Sequence, residues 1–205
     1  MTLSEILGLY DPTAPLERAF TIPAEWYTDP RIEALERDRV FAPNWIAVGR
    51  TDQVEKEGDF FTIELAGEPL VVVRGAAGRL HAFFNVCRHH AAAVCTTPCG
   101  NAQHLRCPYH GWTYSLDGAL KGAPEFLGVE NFDRAQFGLV PIQVDVWEQF
   151  VFVRLSETGP ELSAFLGDLP AAIAPLVGDE PSANLNIGTT CRTGRRVRAA
   201  SLFGR

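Results

Sequence analysis

Cys87-Arg88-His89 and Cys107-Pro108-Tyr109-His110-Gly111-Trp112 are the two stretches on which the reading of this chain turns. Each offers one thiol and one imidazole, and 17 residues, 90–106, separate them. Their flanks have a period of two. Phe61, Ile63 and Leu65 alternate with Thr62 and Glu64, and Ile142, Val144 and Val146 alternate ahead of an apolar run at 150–155. Residues 70–74 and 79–84 flank Gly75-Ala76-Ala77-Gly78, a hairpin signal, and Asp117-Gly118 marks a second turn. Alternation over short runs punctuated by such turns predicts many short antiparallel strands, so residues 43–155 read as a mainly β sandwich or small barrel with the Cys/His pairs on two of its loops.

The mixture of ligand types is informative. A single tetrahedral zinc more often draws on C-x2-C with a distant His pair, although a Cys2His2 set would satisfy it. A [2Fe-2S] cluster of the mixed-ligand kind has one iron held by two cysteines and the other by two histidines, so a loop carrying both residue types reaches both irons. Five cysteines, an odd number, in a chain without a secretory pattern also favour metal or redox chemistry over a disulfide framework. Glycine-rich phosphate loops and a G-x-S-x-G turn are absent.

With Tyr114 and, further on, Gly122-Ala123-Pro124-Glu125, the two loops resemble the Rieske signature of the alpha subunits of Rieske non-haem iron oxygenases, and His89-His90-Ala91 is similar to the choline monooxygenase branch, where many aromatic ring hydroxylases carry His-Arg-Gly. The resemblance covers roughly residues 20–175. It implies a Rieske [2Fe-2S] fold in which Cys87 and Cys107 ligate one iron and His89 and His110 the other. It also implies an oxidoreductase that accepts electrons from an NAD(P)H-dependent flavin/iron-sulfur reductase or a ferredoxin. Replacing two thiolates by neutral imidazoles leaves such a cluster less negative, with a potential of about −150 to +300 mV against about −400 mV for an all-cysteine plant-type cluster. Pro108 and Gly111 suit a tight turn aiming backbone N–H groups at the cluster, and Trp112 suits a shield against water.

Around this core, residues 1–42 read as an arm followed by one helix. Pro12, Pro15 and Pro23 suggest extended chain over 1–28, and Asp29-Pro30 an N-cap with proline at the first helical position, the helix closing near Val40-Phe41. Past Gly159-Pro160 a helical pattern returns over 162–177, interrupted by Pro170 and Pro175, and residues 156–205 read as the start of a truncated catalytic domain. The formal charge of −7 argues against nucleic acid, and no apolar run is long enough for a membrane. The amino terminus lacks the basic start and apolar stretch of a secretory signal, which reads as cytoplasmic.

That charge sums unlike parts, because Arg192, Arg195, Arg196, Arg198 and Arg205 fall in the last fifteen residues with no acid among them. The change near 185–192 reads as a frameshift truncation. The family's oxygen-activating mononuclear iron uses two histidines and a carboxylate, and with His89 and His110 assigned only His81, His90 and His104 remain, all inside the Rieske segment. The expectation is therefore the electron-transfer portion of an oxygenase, with mononuclear Fe(II) in a domain absent from the chain and a homotrimer possible only for the full-length form. A stand-alone Rieske electron carrier and a zinc-stapled interaction module are the alternatives. His81 and His104 read as surface residues, His90 as a neighbour of the ligand loop, and Cys95 and Cys99 as small, partly buried loop residues.

Overall fold

The computed structural model describes residues 1–126 and 128–177; the basic tail and Cys191 lie outside them. Among these described residues five short α-helices and ten strands follow in the order α1 (Leu3–Leu7), α2 (Ala24–Thr28), α3 (Pro30–Glu36), β1 (Ile46–Arg50), β2 (Asp59–Leu65), β3 (Glu68–Arg74), β4 (Leu80–Phe84), β5 (Cys99–Asn101), β6 (Leu105–Arg106), β7 (Thr113–Tyr114), β8 (Leu120–Gly122), β9 (Pro141–Trp147), β10 (Phe150–Arg154), α4 (Leu162–Leu166) and α5 (Leu169–Val177). Seven strands form one sheet in the order β1-β10-β9-β4-β3-β2-β5, and β6-β7-β8 form a second. Every pairing is antiparallel. The mainly β architecture expected of the period-two stretches is the one found.

Strand β3 shows why its sequence is a continuous apolar run rather than an alternation. Val71 and Val73 face one core with Phe60, Phe83, Leu105, Trp112 and Tyr114, while Leu70 and Val72 face a second core with Phe61, Val151 and Val153. All four β3 residues are fully buried, because both faces of this central strand are covered. The first core fills the space between the large sheet and the small one, and it also takes in Cys87 and Cys107. A third core joins the β region to helix α4: Trp45, Phe152 and Leu162 are buried together, with Leu166 packed against them. The Trp45 indole N–H donates to the Pro160 carbonyl at 2.9 Å. The Arg154 guanidinium lies 4.8 Å from the centre of the Trp45 ring and also donates to the Pro160 carbonyl.

The arm departs from the extended chain expected over 1–28. Thr2 caps α1 through a reciprocal pair with Glu5, Ile6 is buried, and the Trp26 indole N–H donates to the Ile6 carbonyl at 3.0 Å. Pro15 and Pro23 stand immediately before helical turns, where a fixed φ and a missing N–H cost nothing, rather than inside extended chain. Asp29 caps α3 as expected by accepting from the Arg31 N–H. The helix runs on through a π-helical turn, Arg37–Phe41, to the predicted end. Pro170 lies in the first turn of α5, so the break in the helical pattern falls at Gly167, whose φ is +52°.

Leu162→Ala empties a buried position of the third core and is expected to cost about 2–5 kcal/mol of unfolding free energy. Trp45→Phe, which removes the indole donor to Pro160, costs about 1 kcal/mol. Urea unfolding monitored by far-UV circular dichroism checks both.

Candidate metal centre

Two loops with the same internal wiring carry the predicted ligands. In the first, the Cys87 N–H donates to the Ala92 carbonyl at 2.8 Å, and the Ala91 N–H donates to the Cys87 carbonyl at 3.0 Å. In the second, the Cys107 N–H donates to the Trp112 carbonyl at 2.8 Å, and the Gly111 N–H to the Cys107 carbonyl at 3.0 Å. Both loops turn on a left-handed residue, Ala91 with φ +57° and Gly111 with φ +73°. The position is ordinary for glycine and strained for alanine.

The wiring delivers both cysteines to the first core, with Cys87 3% and Cys107 1% exposed. Burial raises the Cys107 thiol above its ordinary range; the backbone N–H groups of Tyr109 and His110 oppose that rise, and the neighbouring Cys87 thiol adds to it. Tyr114 links the loops. Its hydroxyl accepts from the Arg88 N–H at 3.0 Å and lies 3.3 Å from the Cys87 sulfur. Burial, and after it the Cys87 thiol, pushes the phenol's titration well up.

The imidazoles cluster on the outer side. His89 and His110 ring centres are 4.7 Å apart, and His89 stacks on Trp112 at 4.8 Å with planes 8° apart. His90 joins them, 3.9 Å from His89 and 5.2 Å from His110, and the donor nitrogens of the three histidines lie within 4.8 Å of one another. Burial and the two neighbouring imidazoles hold His89 below its usual range, which favours the neutral, ligating form. Among the described residues two buried polar side-chain atoms have no hydrogen-bond partner, His89 Nδ1 and Trp112 Nε1, and these two rings stack on each other. A buried nitrogen lone pair without a donor, beside two buried thiols, fits a soft metal group held between the loops. Cys87, His89, Cys107 and His110 could therefore hold a two-metal cluster.

The other predicted residues are elsewhere. His81 lies on β4, stacked on Phe83, and His104 is on the exposed loop before β6. Cys95 is a free thiol raised to about 11 by burial, a packing residue. Asn85, which no motif marks, is 4% exposed. Its amide oxygen accepts from the Val94 and Cys95 N–H groups at 3.1 and 2.8 Å, and its amide nitrogen donates to the Cys95 carbonyl at 2.8 Å. Its one signal in the sequence is its position, a polar residue directly after the apolar strand β4 and two residues before a ligand.

Residues 44–133 match the family model for the Rieske [2Fe-2S] domain. The chloroplastic choline monooxygenase of Arabidopsis thaliana is 44% identical over 154 residues, which cover 75% of this chain and 36% of that protein. The glycine betaine monooxygenase oxygenase subunit of Pseudomonas aeruginosa (strain UCBPP-PA14) is 34% identical over 203 residues, covering 94% of this chain and 47% of its own. Among solved structures, the apo form of the quaternary ammonium Rieske monooxygenase CntA superposes with a TM-score of 0.71 at 32% identity, over 76% of this chain and 45% of that one. A naphthalene 1,2-dioxygenase variant bound to phenanthrene superposes at 0.69 and 28%, over 73% and 34%. The chain thus spans less than half the length of these curated relatives.

The paired left-handed turns predict opposite responses to the same exchange. Gly111→Ala is expected to lower the unfolding free energy of the metal-free chain by about 1 kcal/mol, and Ala91→Gly to raise it by up to about 1 kcal/mol. Urea titrations of the two variants check the signs.

Proposed function

Because this chain carries the Rieske [2Fe-2S] domain of a Rieske non-haem iron oxygenase alpha subunit, we propose that Cys87, Cys107, His89 and His110 hold its cluster and that the domain relays electrons within an oxygenase. When bound, the cluster takes up and gives back one electron at a time. The convergence of two buried thiols and a buried, unpartnered imidazole nitrogen on two identically wired loops carries the reading. Cys87 and Cys107 would ligate one iron as thiolates, shielded from water by Trp112 and Tyr114. His89 and His110 would ligate the other from the outer side. The N–H groups of Tyr109 and His110 lie at the Cys107 sulfur and the Tyr114 hydroxyl at the Cys87 sulfur, where, donating to the bound thiolates, they would draw off electron density and favour the reduced state.

His110, His90 and Tyr109 are exposed, so electrons would enter and leave on this face. The donor would be an NAD(P)H-dependent flavin/iron-sulfur reductase or a ferredoxin, in the cytoplasm. No helix among the described residues is long and apolar enough to cross a membrane. In domain terms, 1–42 form the arm and helices, 43–155 the Rieske domain, and 156 onward the start of a catalytic domain that would hold the mononuclear iron and permit a homotrimer. Relatives whose names specify choline, glycine betaine and quaternary ammonium compounds favour a quaternary ammonium substrate over an aromatic one.

The purified chain is expected to bind two irons and two acid-labile sulfides, to be coloured, and to give a paramagnetic resonance signal on reduction. Cys87→Ser and His110→Ala should each abolish the signal. Stoichiometric zinc with no visible absorption would replace this reading with a zinc-stapled module.

A further inference from the structure

The two ligand loops share their internal hydrogen bonds but not their bases. The second loop closes a hairpin, with Leu105 paired to Tyr114 and Arg106 to Thr113, so backbone ladder bonds fix its ends. The first has no such ladder: it leaves β4 at Phe84, and no strand receives the chain until β5 at Cys99. Across that gap Asn85 does what a partner strand would do. Its backbone N–H is fixed to the Pro69 carbonyl at 2.7 Å, at the head of β3. Its side chain satisfies three backbone groups of the returning chain, the N–H groups of Val94 and Cys95 and the carbonyl of Cys95. Val94 is itself buried, so its N–H has no recourse to water.

From this asymmetry we propose that Asn85 is the positioning residue of the Cys87 loop: its side-chain amide, in place of a strand pair, sets where Cys87 and His89 stand relative to Cys107 and His110. A primary amide is suited to the task because it presents an acceptor and a donor together, as a peptide unit does. Aspartate offers only the acceptor and sets a carboxylate against the Cys95 carbonyl. Leucine matches the volume and strands three backbone groups.

The consequence for the cluster rests on the ligand assignment above, whereas the consequence for the loop does not, and the experiment separates them. Hydrogen exchange of the metal-free chain is measured amide by amide for the wild type, Asn85→Ala and, as a destabilised control remote from both loops, Leu162→Ala. In Asn85→Ala the Val94, Cys95, Cys87 and Ala91 amides are expected to exchange at least about tenfold faster than in the control, while Cys107 and Gly111 stay at the control's rate. Equal acceleration in both loops, or in neither, overturns the proposal. In the reconstituted chain, Asn85→Ala is expected to lose iron to a chelator at least about tenfold faster than Leu162→Ala and to show altered g-values on reduction. Control-like release with unchanged g-values counts against it.

If Asn85→Ala does not accumulate folded, Asn85→Asp decides by the same comparison of iron release. It keeps the acceptor for Val94 and Cys95, so faster release than the control supports the donor's part in positioning and control-like release overturns it. A wild-type chain that binds no iron refutes the functional reading alone, and the exchange pattern still decides the role of Asn85.

Discussion

One hydroxyl spans the two halves of the site. Tyr114 belongs by its backbone to β7, the strand leaving the second ligand loop, yet its oxygen bonds to Arg88 and Cys87 of the first. The ligands of each loop are adjacent in sequence, so their mutual placement within a loop is a local matter. Their placement across loops is not, because it must be carried through the first core over the 17 residues at 90–106. Asn85 holds the base of the first loop, and a fully buried phenol in the same core as Val71, Val73 and Leu105 is stiff enough to tie that loop to the second. Its hydroxyl is satisfied only when the first loop is in place, and a buried polar group left unmade costs about 1–3 kcal/mol, so core packing and site geometry are coupled through this side chain.

The large sheet supplies the floor on which that coupling works. Phe60, Val71, Val73 and Phe83 project from three neighbouring strands into the space under the small sheet, and the cysteines close the same core from above. Thiols behave here as small hydrophobes that also happen to be ligands. This is why the buried cysteines can sit in an apolar layer with so few competing polar groups. The opposite face of the sheet packs an unrelated core, and the third core fastens Leu162 and Leu166 to Trp45 and β10, away from the loops. Stability at the far side can therefore change without displacing a ligand.

Much of this was legible in the chain because the controlling signals are local. Alternation at 61–65 and 142–146, the turn at 75–78 and Asp117-Gly118 all became the strands and turns they suggested. Cys87, His89, Cys107 and His110 could be picked out by residue type and spacing. What escaped was set by partners distant in sequence or by competing local rules. Thr2 and Glu5 form a capping box in a stretch where three prolines suggested extension. The arm's helices depend on Trp26 reaching back to Ile6, which no window of sequence contains. Tyr114 could be seen as part of a motif but not as a link between loops. Asn85 looked like an ordinary polar residue at a strand end, since its three bonds run to residues 94 and 95, nine and ten positions on.

Burial across the site runs in one direction, and that gradient orders its chemistry. Cys87 and Cys107 are sealed, His89 is half-buried, and His110 and His90 are exposed, with Tyr109 stacked on His110 at 3.8 Å. A charge placed on the thiolate side is far from water and is stabilised only by fixed donors, the phenol of Tyr114 and the backbone N–H groups around Cys107. A charge placed on the imidazole side meets solvent. The inner end of the site is thus preorganised by the fold and sealed in the first core, while the outer end is open to solvent.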